Sequence, residues 1–295
     1  MLTPSHQGHA AMLLFAVLVA GSFSLGGRVA NLVDPTVLTL VRFIIAACVL
    51  GAAAVALGRV ERRHAAAPWR YPLLGGIFAL YFILMFEGLK TAPPVNTAAV
   101  FTLTPILAGL FGWLLMRQRL TPRMALALAL GGAGALWVIF GADLDRLLAF
   151  DIGRGEAVFF VGVVAHALYT PLVRRLNRGE PPLVFTFGML LGAIALMAAY
   201  AGGDALATDW SVLPPLFWIT LAYLSIFASA TTFLLLQFAT LRLPSSKVMA
   251  YTYLVPSVVI LWEGALGQGW PPAALLPGVA ATVIALVLLL REDPA

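Results

Sequence analysis

The chain has 295 residues, 61% of them hydrophobic and only 11% charged, with a mean hydropathy of +0.96. A soluble domain carries roughly 25% charged residues, so this composition excludes a water-soluble globular protein and makes the bilayer the second apolar solvent. The net charge of +5 does not point to nucleic acid, because the basic residues lie in short turns between apolar runs, where they report topology and contact with anionic lipid.

A transmembrane helix needs about 20 mostly apolar residues. The first run, 9–30, could be taken for a signal peptide, but residues 1–9 offer only His6 and His9 in place of a charged start, so it is read as a retained helix. Further runs follow at 36–57, 71–89, 94–115, 124–141, 155–173, 183–201, 213–238, 247–266 and 272–290. Turn and charge signals separate them, among them Asp34-Pro35, Pro93-Pro94, Gly202 to Asp209 and Arg242-Leu243-Pro244. The single cysteine, Cys48, lies within the second run, so an intrachain disulfide is impossible.

Arginine and lysine set the expected orientation. With a cytoplasmic N-terminus, 13 of the 18 basic residues fall on the inner side, in clusters such as Arg59, Arg62, Arg63 and Arg70, Arg174, Arg175 and Arg178, and a terminal Arg291. Only Arg28, Lys90, Arg146 and Arg154 fall outside, and Arg42 lies within a span. Both termini are therefore expected in the cytoplasm.

The sequence also repeats itself. Pro93, Ala99, Leu103 and Pro105 recur as Pro244, Ala250, Leu254 and Pro256, all at an offset of 151 residues. The matching segments are the fourth of the first five spans and the fourth of the second five, which divides the chain into 9–141 and 155–290. Five is odd, so the second half must enter the membrane from the opposite face. The expectation is an all-α membrane protein of ten helices in two inverted five-helix repeats, an architecture of secondary transporters.

The chain resembles the drug/metabolite transporter superfamily, specifically the EamA-type proteins with two five-helix repeats, over 12–140 and 155–290. The likeness rests on Ala20-Gly21-Ser22-Phe23, on Pro35-Thr-Val-Leu-Thr-Leu-Val-Arg42-Phe43, and on Gly88-Leu-Lys-Thr-Ala-Pro93 with Pro105. Arg119-Leu120-Thr121-Pro122 and Gly131-Gly132-Ala133-Gly134 complete the first half. The second half contributes Ala165-His-Ala-Leu-Tyr169, Ala239-Thr-Leu-Arg-Leu-Pro244 with Pro256, and Pro277-Gly278. One departure is Gln118, where such proteins often have a glutamate. Within the superfamily the pattern is most similar to bacterial amino-acid exporters, including the aromatic branch. The resemblance implies a multi-pass protein of the cell inner membrane that exports small metabolites, and it gives the family's arginine of the second helix to Arg42.

Candidate site residues follow from the cost of polar groups in hydrocarbon. His166 lies deep in the sixth span with Tyr169 three positions on, on one helical face, where the pair could bond a carboxylate or join in proton coupling. A histidine satisfied by a neighbouring helix is the plainer alternative. Arg42 could attract a carboxylate, snorkel outward or pair with Asp34, and a structural role is the favoured reading. Glu87 and Glu263 read as interfacial. Tyr81, Phe101, Tyr223, Tyr251, Tyr253 and Trp262 fall deep enough to line a cavity as well as to pack, and Asn96 and Gln237 add uncharged polar groups. Pro105 and Pro256 should kink the middle of the fourth and ninth spans.

A pocket of Tyr, Trp, Asn and His with few fixed charges suits a zwitterion with an apolar side chain, such as an amino acid. A membrane-buried enzyme would need a His-Glu-x-x-His run or a serine with a base, and no such pattern stands out. A channel would want a ring of like charge or a carbonyl filter, and neither occurs. No cofactor, metal or nucleic acid is expected, and the partners are substrate and lipid.

Overall fold

The computed structural model describes residues 4–118 and 121–290; Arg119, Leu120 and Arg291, used above, lie outside the described residues. It contains ten helices long and apolar enough to span a membrane: α1 Pro4–Val29, α2 Pro35–Ala56, α3 Arg70–Leu89, α4 Pro94–Met116, α5 Pro122–Ile139, α6 Arg154–Leu176, α7 Pro182–Ala207, α8 Pro215–Thr240, α9 Lys247–Ala265 and α10 Ala273–Leu290.

Proline opens many of these helices. It sits in the first turn of α2, α5, α7 and α8, where its missing N–H would have had no partner. Asp34 caps α2, accepting from the backbone N–H of Thr36 at 2.8 Å and Val37 at 3.4 Å. The largest boundary difference is at α7. The glycines and Asp204 expected to form a turn continue the helix to Ala207. Glycine lowers helix propensity by about 1 kcal/mol, and without a proline that is too little to end a 26-residue helix. Large side chains such as Leu13, Leu110, Leu126 and Leu191 point outward. In water they would form a costly apolar surface; against lipid they are at rest.

The two halves pack as counterparts. The pair α1–α8 matches α3–α6, α1–α9 matches α4–α6, and α2–α8 matches α3–α7, while α2–α7, α4–α9 and α5–α10 each join a helix to its own counterpart. Exchanging every helix with its partner in the other half returns the same set of contacts, which is the signature of a pseudo-two-fold axis. Within α4–α9, the early segment Pro94–Phe101 meets the late segment Val255–Ala265, and Thr104–Met116 meets Ser245–Ala250. The two helices therefore run antiparallel, and the repeats are inverted.

Both helices of that central pair are broken at equivalent places. The first interruption falls at Thr102-Leu103, the second in a tight 3-10 turn over Tyr251–Leu254. At the 151-residue offset, Thr104 and Val255, which restart the helices, are equivalent. Pro105 and Pro256 thus do not kink a continuous helix as the sequence suggests. Each takes the second position of a new helix just past a break. The cause is local: each proline has no N–H to bond the carbonyl four residues back and its ring crowds that preceding turn, and threonines there bond back to carbonyls, Thr102 Oγ1 to Ala99 at 2.6 Å and Thr252 Oγ1 to Met249 at 2.8 Å.

Small residues bring backbones together where the halves touch. A Cβ on Gly134 would lie 2.5 Å from the carbonyl oxygen of Gly278, and one on Gly278 would lie 2.8 Å from that of Gly134, so α5 and α10 close on bare backbone.

Candidate functional site

The seam between the halves holds a block of rings. Phe78, Tyr81 and Phe82 project from α3 at helical spacing and meet Phe101 of α4, Phe159, His166 and Tyr169 of α6, and Phe233 of α8. The His166 imidazole lies 4.4 Å from the Tyr81 ring centroid, 5.1 Å from Phe101 and 5.4 Å from Phe78, on which it stacks. Its Nδ1 is buried without a hydrogen-bond partner. Tyr169 stacks on Phe78 at 4.3 Å, donates to Met189 Sδ at 2.9 Å and accepts from Gln237 Nε2 at 2.9 Å. The carbonyl oxygen of Gln237 is left unpaired. Buried polar groups without partners cost about 1–3 kcal/mol each, which makes the unpaired His166 Nδ1 and Gln237 carbonyl candidates for a ligand's hydrogen bonds.

Of the candidates read from the sequence, His166, Tyr169, Tyr81 and Phe101 come together here. Others do not. Tyr223 donates to the Leu18 carbonyl at 2.8 Å and packs on Trp262 at 5.8 Å, forming a second aromatic pair between α1, α8 and α9. Tyr251 meets His9 at 3.0 Å. Tyr253 is turned towards α5, seated where Gly131 has no side chain, with its hydroxyl unpaired. Asn96 donates to Glu156 at 3.2 Å, at the start of α6. Phe78 is the hub that the sequence reading missed. Its signal was present in the i, i+3, i+4, i+7 series Phe78, Tyr81, Phe82, Met85.

Arg42 neither snorkels nor pairs with Asp34, whose carboxylate caps α2 instead. The guanidinium is fully buried and reaches α8, where one π-helical turn, Ile226–Thr231, widens the backbone ladder. Nε donates to Ser229 Oγ at 2.8 Å, and Nη2 donates to the carbonyls of Leu224 at 3.2 Å and Ala228 at 3.0 Å. The cation also lies 4.1 Å above the Phe82 ring, and Nη1 has no partner. A π-turn frees carbonyls that a regular helix would consume, and here they solvate the charge in place of water. Ser229 is consequently engaged by Arg42 and its own helix rather than by a base.

At one end of the bundle the halves are tied by charge. Arg70, at the start of α3, forms an ion pair of 2.6 Å with Glu180 in the α6–α7 turn, both side chains almost wholly buried, and donates to the Leu176 carbonyl. Burial alone would raise the Glu180 carboxyl's pKa, but the bonds from Arg70 and from the Arg178 N–H outweigh it and hold the group below its ordinary value.

Across this architecture the chain belongs to the EamA-like transporter family, which matches it over residues 6–140 and 153–291, once in each half. It is a multi-pass membrane transporter. An uncharacterized transporter of Bacillus subtilis, YyaM, is 26% identical over 285 residues, 94% of this chain and 91% of that protein. The aromatic amino acid exporter YddG of Ancylobacter novellus is 34% identical over 193 residues, covering 64% of each. A solved crystal structure superposes with a TM-score of 0.73 at 26% identity, covering 97% of both chains.

Proposed function

We propose that the protein is a secondary transporter that carries neutral, above all aromatic, amino acids across the inner membrane by alternating access, in the direction of export. The observation that supports this best is the coincidence at the seam. The ring block with its unpaired His166 Nδ1 and Gln237 carbonyl adjoins one of two symmetry-related broken helices, both capable of changing shape. Aromatic faces suit an aromatic side chain, while imidazole, phenol and amide offer hydrogen bonds to an ammonium or a carboxylate. The relative that exports aromatic amino acids supports the same class. Arginine bookkeeping favours cytoplasmic termini, which would put the Arg70–Glu180 tie on the cytoplasmic side.

The test is uptake of labelled phenylalanine into vesicles holding the purified protein, with a panel of unlabelled amino acids as competitors. Saturable uptake that other aromatic amino acids suppress, and that His166→Ala and Tyr169→Phe reduce without loss of folded yield, supports the reading. Competition by no amino acid would remove the substrate class; wild-type uptake by both variants would remove α6 from the site.

A further inference from the structure

Opposite the Arg70–Glu180 tie, the other end of the bundle also holds a hollow. A pocket of ≈ 350 Å³ is lined by Ser24, Gly27 and Arg28 of α1 and Asn31 just past it, by the α3–α4 turn from Leu89 to Pro94, and by Glu263 and Gln268 at the end of α9. It therefore spans the seam between the halves. Two other hollows, beside Phe140 and beside Cys48, are lined almost wholly by apolar groups and suit lipid tails. This one presents both signs of charge.

Those charges are not spent on each other. Arg28 donates through Nη2 to the Leu266 carbonyl at 3.2 Å, and no ion pair within 4 Å joins it to Glu263. One carboxylate oxygen of Glu263 is buried without a partner. Lys90 differs, being committed to Glu87 at 2.7 Å. Ser24 is 1% exposed, lines the pocket, and has an unpaired hydroxyl. Its chain neighbour Phe23 lies 5.7 Å from Phe101 and 5.8 Å from Phe159, so α1 carries one residue on the pocket beside one on the ring block. On the other wall, Glu263 follows Trp262, which packs on Tyr223.

We propose that this pocket is a mouth subsite for a zwitterion. Arg28 receives the α-carboxylate, Glu263 receives the α-ammonium, and the apolar side chain is directed down past Ser24 towards Phe23 and Phe101. A cation and an anion held apart in one partly buried hollow recognise a dipolar ligand and penalise any analogue that lacks either charge, because the unmatched partner is left desolvated. The assignment rests on the amino-acid transport reading above and adds to it which end admits or releases substrate, and by which groups.

The test is binding of labelled phenylalanine to the full chain in nanodiscs, with 3-phenylpropionate, which lacks the ammonium, and 2-phenylethylamine, which lacks the carboxylate, as competitors. Arg28→Gln should weaken phenylalanine binding about tenfold, the worth of one charge-assisted contact, and leave competition by 2-phenylethylamine unchanged. Glu263→Gln should do the reverse, sparing 3-phenylpropionate. Arg28→Lys and Glu263→Asp, which keep the charges, should retain most of the affinity. If wild-type protein binds phenylalanine and all four variants bind it equally, the pocket is no subsite while the transport reading stands. Variants that change turnover but not affinity or discrimination would make the charges a gate only, and would also overturn the assignment. Failure of the wild type to bind any neutral amino acid would instead defeat the transport reading itself.

Discussion

Arg42 shows how one residue can shape the helix opposite. Burying a guanidinium costs several kcal/mol even after relaxation, and among the described residues no carboxylate pairs with Arg42 to repay it. Three hydrogen bonds to α8 and the Phe82 face do so instead. Arg42→Met should therefore cost about 2–4 kcal/mol, the worth of buried bonds to a charged donor after partial relaxation. The expected outcome is a lower melting temperature in detergent, with Arg42→Lys intermediate because a single ammonium cannot span Ser229 and both carbonyls. An unchanged melting curve in Arg42→Met would remove the structural role. A structural role for Arg42 was legible in the sequence, but its partners were not. The arginine was conspicuous, but its partners are backbone carbonyls exposed by a π-turn that no side-chain pattern announces.

At the scale of elements, the broken pair α4 and α9 was the most legible feature. Pro93, Pro105, Pro244 and Pro256 fixed its location at the right offset. The mechanical detail was misjudged, because proline interrupts the turn before it, whose carbonyl it can neither bond nor clear, rather than bending its own. If the breaks serve as hinges, Pro105→Ala and Pro256→Ala should let each helix run through and stiffen it. We expect substrate affinity to be retained while turnover falls about tenfold, a barrier increase of ~1.4 kcal/mol. Equal turnover in both variants would leave the breaks as binding geometry only. The aromatic residues were harder to sort. Tyr81, Tyr223 and Tyr253 look alike in sequence, yet only the first faces the ring block. The direction of each follows from helix rotation within the bundle, which packing decides.

For the whole molecule, spans and inversion could be read in advance because the bilayer fixes helix length and an odd repeat forces opposite insertion. The orientation expected from the same basic residues can be checked residue by residue. In a Cys48→Ala background, a cysteine at Asp145 should react with a membrane-impermeant maleimide in intact cells. One at Arg62 or Arg178 should react only after permeabilisation. The opposite pattern would turn the molecule over and, with it, the side on which the Arg28–Glu263 pocket opens.

In a carrier with one seam site exposed to each side in turn, labelled and unlabelled substrate compete for that site on both faces. Vesicles preloaded with unlabelled phenylalanine and diluted into a trace of labelled phenylalanine should therefore accumulate label transiently above its equilibrium level, and then lose it. Label that rises only to equilibrium, at a rate indifferent to the unlabelled pool and linear in concentration, would mean a continuous pore and would contradict alternating access between the two halves.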